Sequence, residues 1–400
     1  MPITALNLAD STPAGQADAA LALAEQLAAE FLVEAAKRDR ERLLPQAEYD
    51  RLAASGLLAI RVPKRFGGLE LPYGTVARIV AAIAGADASL AQLFVSSIFA
   101  SAFIGASGDE GQQADFYARQ LAGVTWGNAS SEVGGKTAAT ITTEAVSDGD
   151  DWIVTGRKFY STGALLSALI SVVCQDEAGV PLTVIVPNPS PGLSITDDWD
   201  GMGQRTTASG TLELDRVRVP KGHGFRVQQA RADLPLGAVP QIVHCAIDAG
   251  IARRALDETI AYVRNKARPW SGTGVERAAE DPYVLAGIGE LTLRLHAAEA
   301  LLERGGRKLD AAFAAPSPRA AAEASVALAE AKVLTTEIAL EASSRLFQYC
   351  GASATGRKHA FDRYWRDART HTVHDPLHWK FHAIGNYALN GSLPAGQRAF

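Results

Sequence analysis

The chain has 400 residues, 47% hydrophobic and 21% charged, with a formal net charge of −5. That is ordinary globular composition with material for two or three domains, and the slight acidic balance gives no electrostatic reason for nucleic acid or an anionic membrane as partner. Three widely separated cysteines, Cys174, Cys245 and Cys350, are odd in number; they argue against a disulfide framework and read as small buried hydrophobes in a reducing compartment.

The first thirty residues lack a basic region followed by an unbroken apolar core, so no secretory signal is expected. No run of 18 apolar residues occurs, so no membrane span is expected and the cytoplasm is the default location. From about 13 to 122 the pattern is helical, with apolar residues at three and four spacing and a charge run at Lys37 to Arg42 that reads as a solvated face. After a break at Val62-Pro63 to Gly67-Gly68, helical pattern resumes through Val76 to Ile83 and Ser89 to Ile104. The second of these carries hardly any charge and should be buried on most sides.

Between about 123 and 225 the texture changes to β-branched runs separated by Gly, Asp and Pro: 140–143, 152–154, 169–173, 182–186 and 211–214. Short strands at this spacing, with no helix of useful length between them, indicate an antiparallel barrel or sandwich and disfavour a parallel Rossmann sheet. Helical periodicity returns in segments near 239–266, 281–311, 317–349 and 356–373, with Ala-rich stretches suited to close packing. The expected fold is therefore α+β: an N-terminal helical domain (1–122), a central antiparallel β-barrel or sandwich (123–228) and a C-terminal four-helix bundle (229–400).

Two nucleotide motifs fail on spacing. Glu132 to Thr137 echoes a phosphate loop, but Ser130 stands where its first glycine is needed; Gly201-Met202-Gly203 lacks the third glycine and the following helix of a dinucleotide fingerprint. Two strand-end pieces, Trp126 to Glu132 and Gly156 to Gly163, offer small polar side chains and backbone amides. They suit the edge of a flat heteroaromatic ring, with Tyr160 or Trp126 over its face, or they are simply turns in a sheet. At the C-terminal end, His371, His374 and Asp375 precede Pro376, which breaks a helix and frees polar side chains to point into a cavity. Histidine there suits proton chemistry. His371, His374, His378 and His382 also fall at three and four spacing, as zinc ligands can, but Pro376 interrupts the helix and no thiolate joins them, so no metal is assigned. His244, among apolar neighbours, reads as a hydrogen-bonded core histidine.

Five pieces in order resemble the acyl-CoA dehydrogenase superfamily: Leu52 to Gly68, the two strand-end pieces, Asp198-Trp199-Asp200-Gly201-Met202-Gly203-Gln204-Arg205 with Val217 to Pro220, and Trp365-Arg366-Asp367-Ala368-Arg369. Where dehydrogenases carry a catalytic glutamate followed by glycine and threonine, this chain has His374, Asp375 and Pro376, and its tail resembles the flavin-dependent monooxygenase branch typified by dibenzothiophene monooxygenase. The resemblance implies reduced FMN supplied by a separate flavin reductase (FAD being the alternative), dioxygen activated at the flavin C4a as a hydroperoxide, and a small organosulfur, aromatic or amine substrate. It further implies a homotetramer. Trp126, Asn128, Ser130, Ser131, Tyr160, Thr162 and Gly163 would line the flavin, and Arg268 would reach its phosphate, often across a subunit boundary. His374 would act on the oxygenating species, Thr162 or Ser161 would steady the flavin edge, and Asp375 or His371 would hold the imidazole tautomer. The branch can place a further histidine on the helix matching 88–104; here only Gln92, Ser96 and Ser97 are sizeable polar residues. The rival expectation is an FAD-dependent dehydrogenase or nitroalkane-type oxidase with Asp375 as base.

Overall fold

The computed structural model describes residues 12–134, 137, 140–226 and 233–394. Gly135 and Lys136 of the rejected phosphate loop, and the first eleven residues, lie outside them. The first long helix, α1 (Pro13–Glu41), starts where Thr12 accepts a hydrogen bond from the Gly15 N–H and Pro13 fills the first turn, a position that needs no amide hydrogen. After α2 (Gln46–Ser55) come α3 (Tyr73–Ala86), the short α4 (Ala88–Gln92), α5 (Phe94–Ser107) and α6 (Glu110–Leu121). As expected, Ala88–Ser107 is almost wholly enclosed. It is long and apolar enough to cross a membrane by composition, yet 83% of it is buried within this fold, which makes it a core helix pair.

The charge run from Lys37 to Arg42 is a solvated face only in part, at Lys37, Arg40 and Glu41. Arg38 and Asp39 are buried: Arg38 donates to Asp87 at 3.0 Å, to Glu48 at 2.8 Å and to the Phe31 carbonyl at 2.6 Å, while Asp39 accepts from Arg366 of the C-terminal region. Periodicity could not show this, because the partners are 49 and 327 positions away. Asp87 also caps α4 through the Ser89 and Leu90 amides, so the ion pair fixes where α4 and α5 begin.

Eight strands form one sheet in the order β6-β7-β3-β2-β4-β5-β8, with β1 paired in parallel to β4. They are β1 (Trp126–Ala129), β2 (Glu144–Asp148), β3 (Asp151–Ser161), β4 (Leu169–Gln175), β5 (Pro181–Pro187), β6 (Leu193–Thr196), β7 (Gly210–Pro220) and β8 (Gly224–Phe225). The expected antiparallel barrel or sandwich is thus a single mixed sheet, antiparallel except at β1–β4 and the one-pair β2–β4 contact. Thr140 to Thr143 is not a strand. Thr142 and Thr143 instead surround the Glu132 carboxylate with their amides and hydroxyls, and Lys158 completes the set at 2.5 Å. Burial opposes that carboxylate's charge, but Lys158 and the threonines outweigh it and hold Glu132 at about 2.

Three long helices follow, α7 (Ala238–Asn265), α8 (Pro282–Ala314) and α9 (Pro318–Cys350), packed on one another and on α3. Then come α10 (Asp362–Thr372) and α11 (Leu377–Asn390), separated by the turn that holds Pro376. The three cysteines are free and buried, and burial pushes each thiol up to about 12, so they behave as apolar filling.

Replacing Arg38 with methionine leaves Asp87 buried without its cation. The loss expected in equilibrium urea unfolding is about 3 kcal/mol; a loss below about 1 kcal/mol would give the pair no more weight than a surface one.

Candidate active site

Helix α7 presents Gln241, His244 and Asp248 at intervals of three and four, hence on one face, within an otherwise apolar stretch. All three are buried, Asp248 completely. The same logic puts Lys332 and Thr336 on the facing side of α9. Lys332 donates to Asp248 Oδ2 at 2.7 Å and Thr336 to the same oxygen at 3.2 Å. The other oxygen, Oδ1, lies 2.5 Å from Nδ1 of His371, which arrives from the last turn of α10. Nε2 of His371 is 3.0 Å from Nδ1 of His244.

The helix break supplies a second, similar group. The His374 amide donates to the His371 carbonyl at 3.1 Å, ending α10, and Pro376 opens α11 with extended backbone. Nδ1 of His374 lies 3.1 Å from Asp375 Oδ1, while Gln241 donates to Oδ2 at 2.6 Å and the buried Lys380 ammonium lies 3.5 Å away. The rings of His374 and His244 lie 4.3 Å apart at 36°. Two Lys–Asp–His groups, Lys332–Asp248–His371 and Lys380–Asp375–His374, therefore meet through His244.

Electrostatics follow from this enclosure. Burial pushes His244 well below the ordinary imidazole value, and His374, His371 and Lys332 push it further. Burial also lowers His371 in spite of Asp248. Burial would raise Asp248, but Lys332 and His371 prevail and hold it at about 2; Lys332 in turn is raised because Asp248 outweighs its own burial. Asp375 sits well below the usual carboxylate range: burial opposes, but His374, Lys380 and Gln241 dominate. Burial lowers Lys380.

The expected ring-binding residues gather at the end of β3. A bulge between Lys158 and Ser161, with Tyr160 at φ 54°, redirects the chain so that Ser161 is fully buried and Thr162 nearly so. Thr162 Oγ1 is 2.9 Å from Ser209 Oγ, itself 2.8 Å from Thr207 Oγ1. Gly163, at φ 71° where a side chain would be strained, donates its amide to the Thr207 carbonyl. Asn128 donates its amide hydrogens to Ser96 on α5 at 3.3 Å, and its backbone N–H to the Thr162 carbonyl.

The other expected residues lie outside this buried cluster or at its edge. Trp126 is 1% exposed and packs on Phe116 in the core. Tyr160 is 61% exposed, edge-on to Trp199; Ser130 and Ser131 are exposed on the sheet rim. Arg268 lies exposed in the loop after α7, and no hydrogen bond or ion pair among the described residues joins it to the rest. His378 and His382 flank exposed Trp379 and do not converge with His371. Sequence reading took His244 as a hydrogen-bonded core histidine, which it is, and missed Asp248, Lys332, Gln241 and Lys380. The available signal was an acid four residues after a histidine in an apolar helix, which places both on one face.

Two motifs prove to be one contact. Asp367 of the Trp365 to Arg369 element accepts from the Gln204 amide at 2.6 Å, and a Cβ on Gly203 would lie 2.0 Å from the Arg366 carbonyl oxygen. Burial raises Asp367 to about 7 against the pull of Arg363 and the Gln204 amide. This contact docks α10, and so His371, onto the loop that leads into Thr207 and Ser209.

A sheet that follows and precedes helical domains in the chain, with buried imidazoles on the C-terminal helices and small hydroxyl and amide donors at the end of β3, defines a flavoprotein-type oxidoreductase scaffold. Acyl-CoA dehydrogenase models match in chain order, the N-terminal domain over 16–124, the middle domain over 128–217 and the C-terminal domain over 242–379. The chain belongs to the acyl-CoA dehydrogenase family. It is 34% identical over 390 residues to "Dibenzothiophene monooxygenase" of Mycolicibacterium goodii, spanning 93% of this chain and 94% of that one. To "Probable FMNH2-dependent monooxygenase SfnC" of Pseudomonas putida it is 33% identical over 388 residues, 94% and 96% of the two chains. The crystal structure of FMN-bound TdsC from Paenibacillus sp. A11-2 superposes with a TM-score of 0.91 at 32% identity, covering 95% of this chain and 100% of that one.

His244 and His371 resist protonation in the fold but not in the unfolded chain, so they add stability above about pH 6.5 that is lost as the pH falls below it. Asp367, raised to about 7, acts oppositely, its contribution fading as pH rises toward that value. Urea unfolding at about pH 7.5 and pH 5.5 should therefore show a smaller acid loss in His244→Gln than in the unsubstituted protein, by up to about 1.4 kcal/mol per pH unit. Equal losses would mean that His244 takes up protons in the fold as it does in the unfolded chain.

Proposed function

We propose that this chain is a flavin-dependent monooxygenase that takes reduced FMN from a separate flavin reductase and, with dioxygen, oxygenates a small organosulfur compound. The relatives named above support the cofactor and the substrate class. The observation that carries the reading is the state of Asp375. Both of its oxygens are engaged, by His374 on one side and by Gln241 with Lys380 on the other, and its carboxyl is held far below the usual range. A carboxylate so stabilised is a poor base for removing a substrate α-proton, which argues against a dehydrogenase or nitroalkane-type oxidase. It is a good orienting group for an imidazole.

The residues at the β3 end suit FMN. Ser161 Oγ and Gln92 Oε1 are buried without a protein partner, beside the Asn128–Ser96 hydrogen bond and the Thr162–Ser209–Thr207 hydroxyls, a donor and acceptor set fit for a flavin edge. Reduced FMN, when bound, supplies the electrons that activate dioxygen. The chain's own part is to exclude water and place protons. Thr162 and Ser161 would hold the ring edge, Asn128 its rim, and Ser130, Ser131 and Tyr160 the outer margin. His374, its Nδ1 fixed by Asp375, would present Nε2 to the oxygenation site, and His371 would support it from behind.

The expected assembly is a cytoplasmic homotetramer in which Arg268 reaches the flavin phosphate of a neighbouring subunit. Its support is the exposed apolar surface near and beyond that loop: Trp270 at 80%, Tyr283 at 84%, Leu293 at 70% and Leu389 at 85%.

With reduced FMN, labelled dioxygen and an organosulfur substrate such as dibenzothiophene, the label should enter the product. Anaerobic turnover with oxidised flavin and an artificial acceptor would instead establish the dehydrogenase reading. His374→Ala should cut product formed per reduced flavin by about 100-fold, with hydrogen peroxide released in its place; unchanged coupling removes His374 from the mechanism.

A further inference from the structure

The three imidazoles are not equivalent, and the hydrogen-bond chain specifies how. Asp248 lies 2.7 Å from Lys332 and 2.5 Å from His371, with both Asp248 and Lys332 at 0% exposure. An ionised carboxylate only accepts, so Nδ1 of His371 carries hydrogen and donates it. Because the carboxylate's charge is already matched by the Lys332 ammonium, His371 need not become an imidazolium to remain buried there. Its Nε2 then keeps a lone pair, which accepts from Nδ1–H of His244 at 3.0 Å. Each proton along the chain is thereby placed, ending at the bare Nε2 of His244. His374 differs. Its side chain is 48% exposed, and its Nδ1–H donates to Asp375. Its ring faces the His244 ring at 4.3 Å on one side and the Asp375 carboxylate at 3.1 Å on the other.

We infer that Asp248 and Lys332 are positioning residues that lock His371 and His244 as neutral Nδ1–H tautomers, leaving His374 as the one imidazole of the three that reaches solvent. The pairing acts through His371 and His244 and does not require contact with substrate. It deepens the monooxygenase reading, on which the catalytic use of His374 rests, by naming what fixes the two imidazoles behind it. The charged and titratable groups facing this chain are His244, Cys245 and Asp248 from α7, Lys332 from α9, His371 from α10, His374 and Asp375 from the turn, and Lys380 from α11. The low positions of His244 and His371 agree with the assignment.

The test uses the full-length protein labelled with nitrogen-15 histidine, with ring protonation read by magic-angle-spinning NMR between about pH 6 and pH 8. His244→Gln, His371→Gln and His374→Gln spectra assign the signals. His371 and His244 should each show hydrogen on Nδ1 and a bare Nε2 across the range. In Lys332→Met the uncompensated carboxylate should draw a proton to His371, moving its midpoint up by at least one pH unit, about a tenfold change in proton affinity. The charge-balanced pair Asp248→Asn with Lys332→Met should return His371 to neutrality. Hydrogen on Nε2 of His371 or His244 in the unsubstituted protein, or a neutral His371 in a folded Lys332→Met variant, overturns the inference. Once the histidine variants assign it, the unsubstituted spectrum decides the tautomers even if no Lys332→Met variant folds. No flavin or oxygen enters this measurement, so it fails or stands separately from the labelled-dioxygen experiment.

Discussion

One buried carboxylate, Asp248, ties three helices together. It belongs to α7, takes an ammonium from α9 and an imidazole from α10, and its partners lie 84 and 123 positions away in the chain. A lone charge at that depth would cost several kcal/mol; a matched pair with both carboxylate oxygens engaged is tolerable and demands a single geometry. Apolar contacts between Ala-rich helices allow small slips and rotations. The Lys332–Asp248–His371 bonds do not, and they set the rotation of α10 that brings His371 against His244.

The same helix is held from its other side by a contact with the sheet domain. Asp367 on the Gln204 amide, Arg366 on Asp39 and the close approach of Gly203 to the Arg366 carbonyl join α10 to α1 and to the loop before β7. Arg38 and Asp87 then link α1 to the start of α4, next to α5 and Asn128's partner Ser96. Imidazoles and ring-edge donors are thus connected by buried polar contacts, each pairing residues far apart in sequence. Among the described residues no direct hydrogen bond joins the two groups, so they are positioned through the scaffold.

This explains which parts were legible beforehand. Helix and strand texture follows from local periodicity, and the order helices, sheet, helices could be read from it, as could the burial of Ala88–Ser107 and the role of Pro376 as a break. The hydroxyl and amide residues at the β3 end and the His374–Asp375 pair could be singled out because they sit in compact motifs. What escaped were residues whose meaning depends on a distant partner. The run at Lys37 looked solvated because Asp87 and Arg366 are remote. The threonines at 140–143 have strand propensity, yet the Glu132 carboxylate that needs their amides overrode it. His244 resembled a core histidine and is one by burial; only the pairing with Asp248 on its own face hints at more.

The break at Pro376 has a structural logic beyond stopping α10. With no amide hydrogen to satisfy and extended backbone at that position, the chain turns so that Asp375 points back toward Gln241 on α7, and α11 starts in a direction that returns Lys380 to the same carboxylate. A continuous helix would carry Asp375 on past Gln241 and leave Lys380 without an acid. A glutamate at the same place, with a longer reach and no such turn, could extend a free carboxylate toward a substrate. Here the shorter acid is captured by its neighbours, and the group left with a nitrogen to offer is the histidine beside it. On the proposed reading, the change from carboxylate to imidazole chemistry therefore lies in backbone direction as much as in residue type.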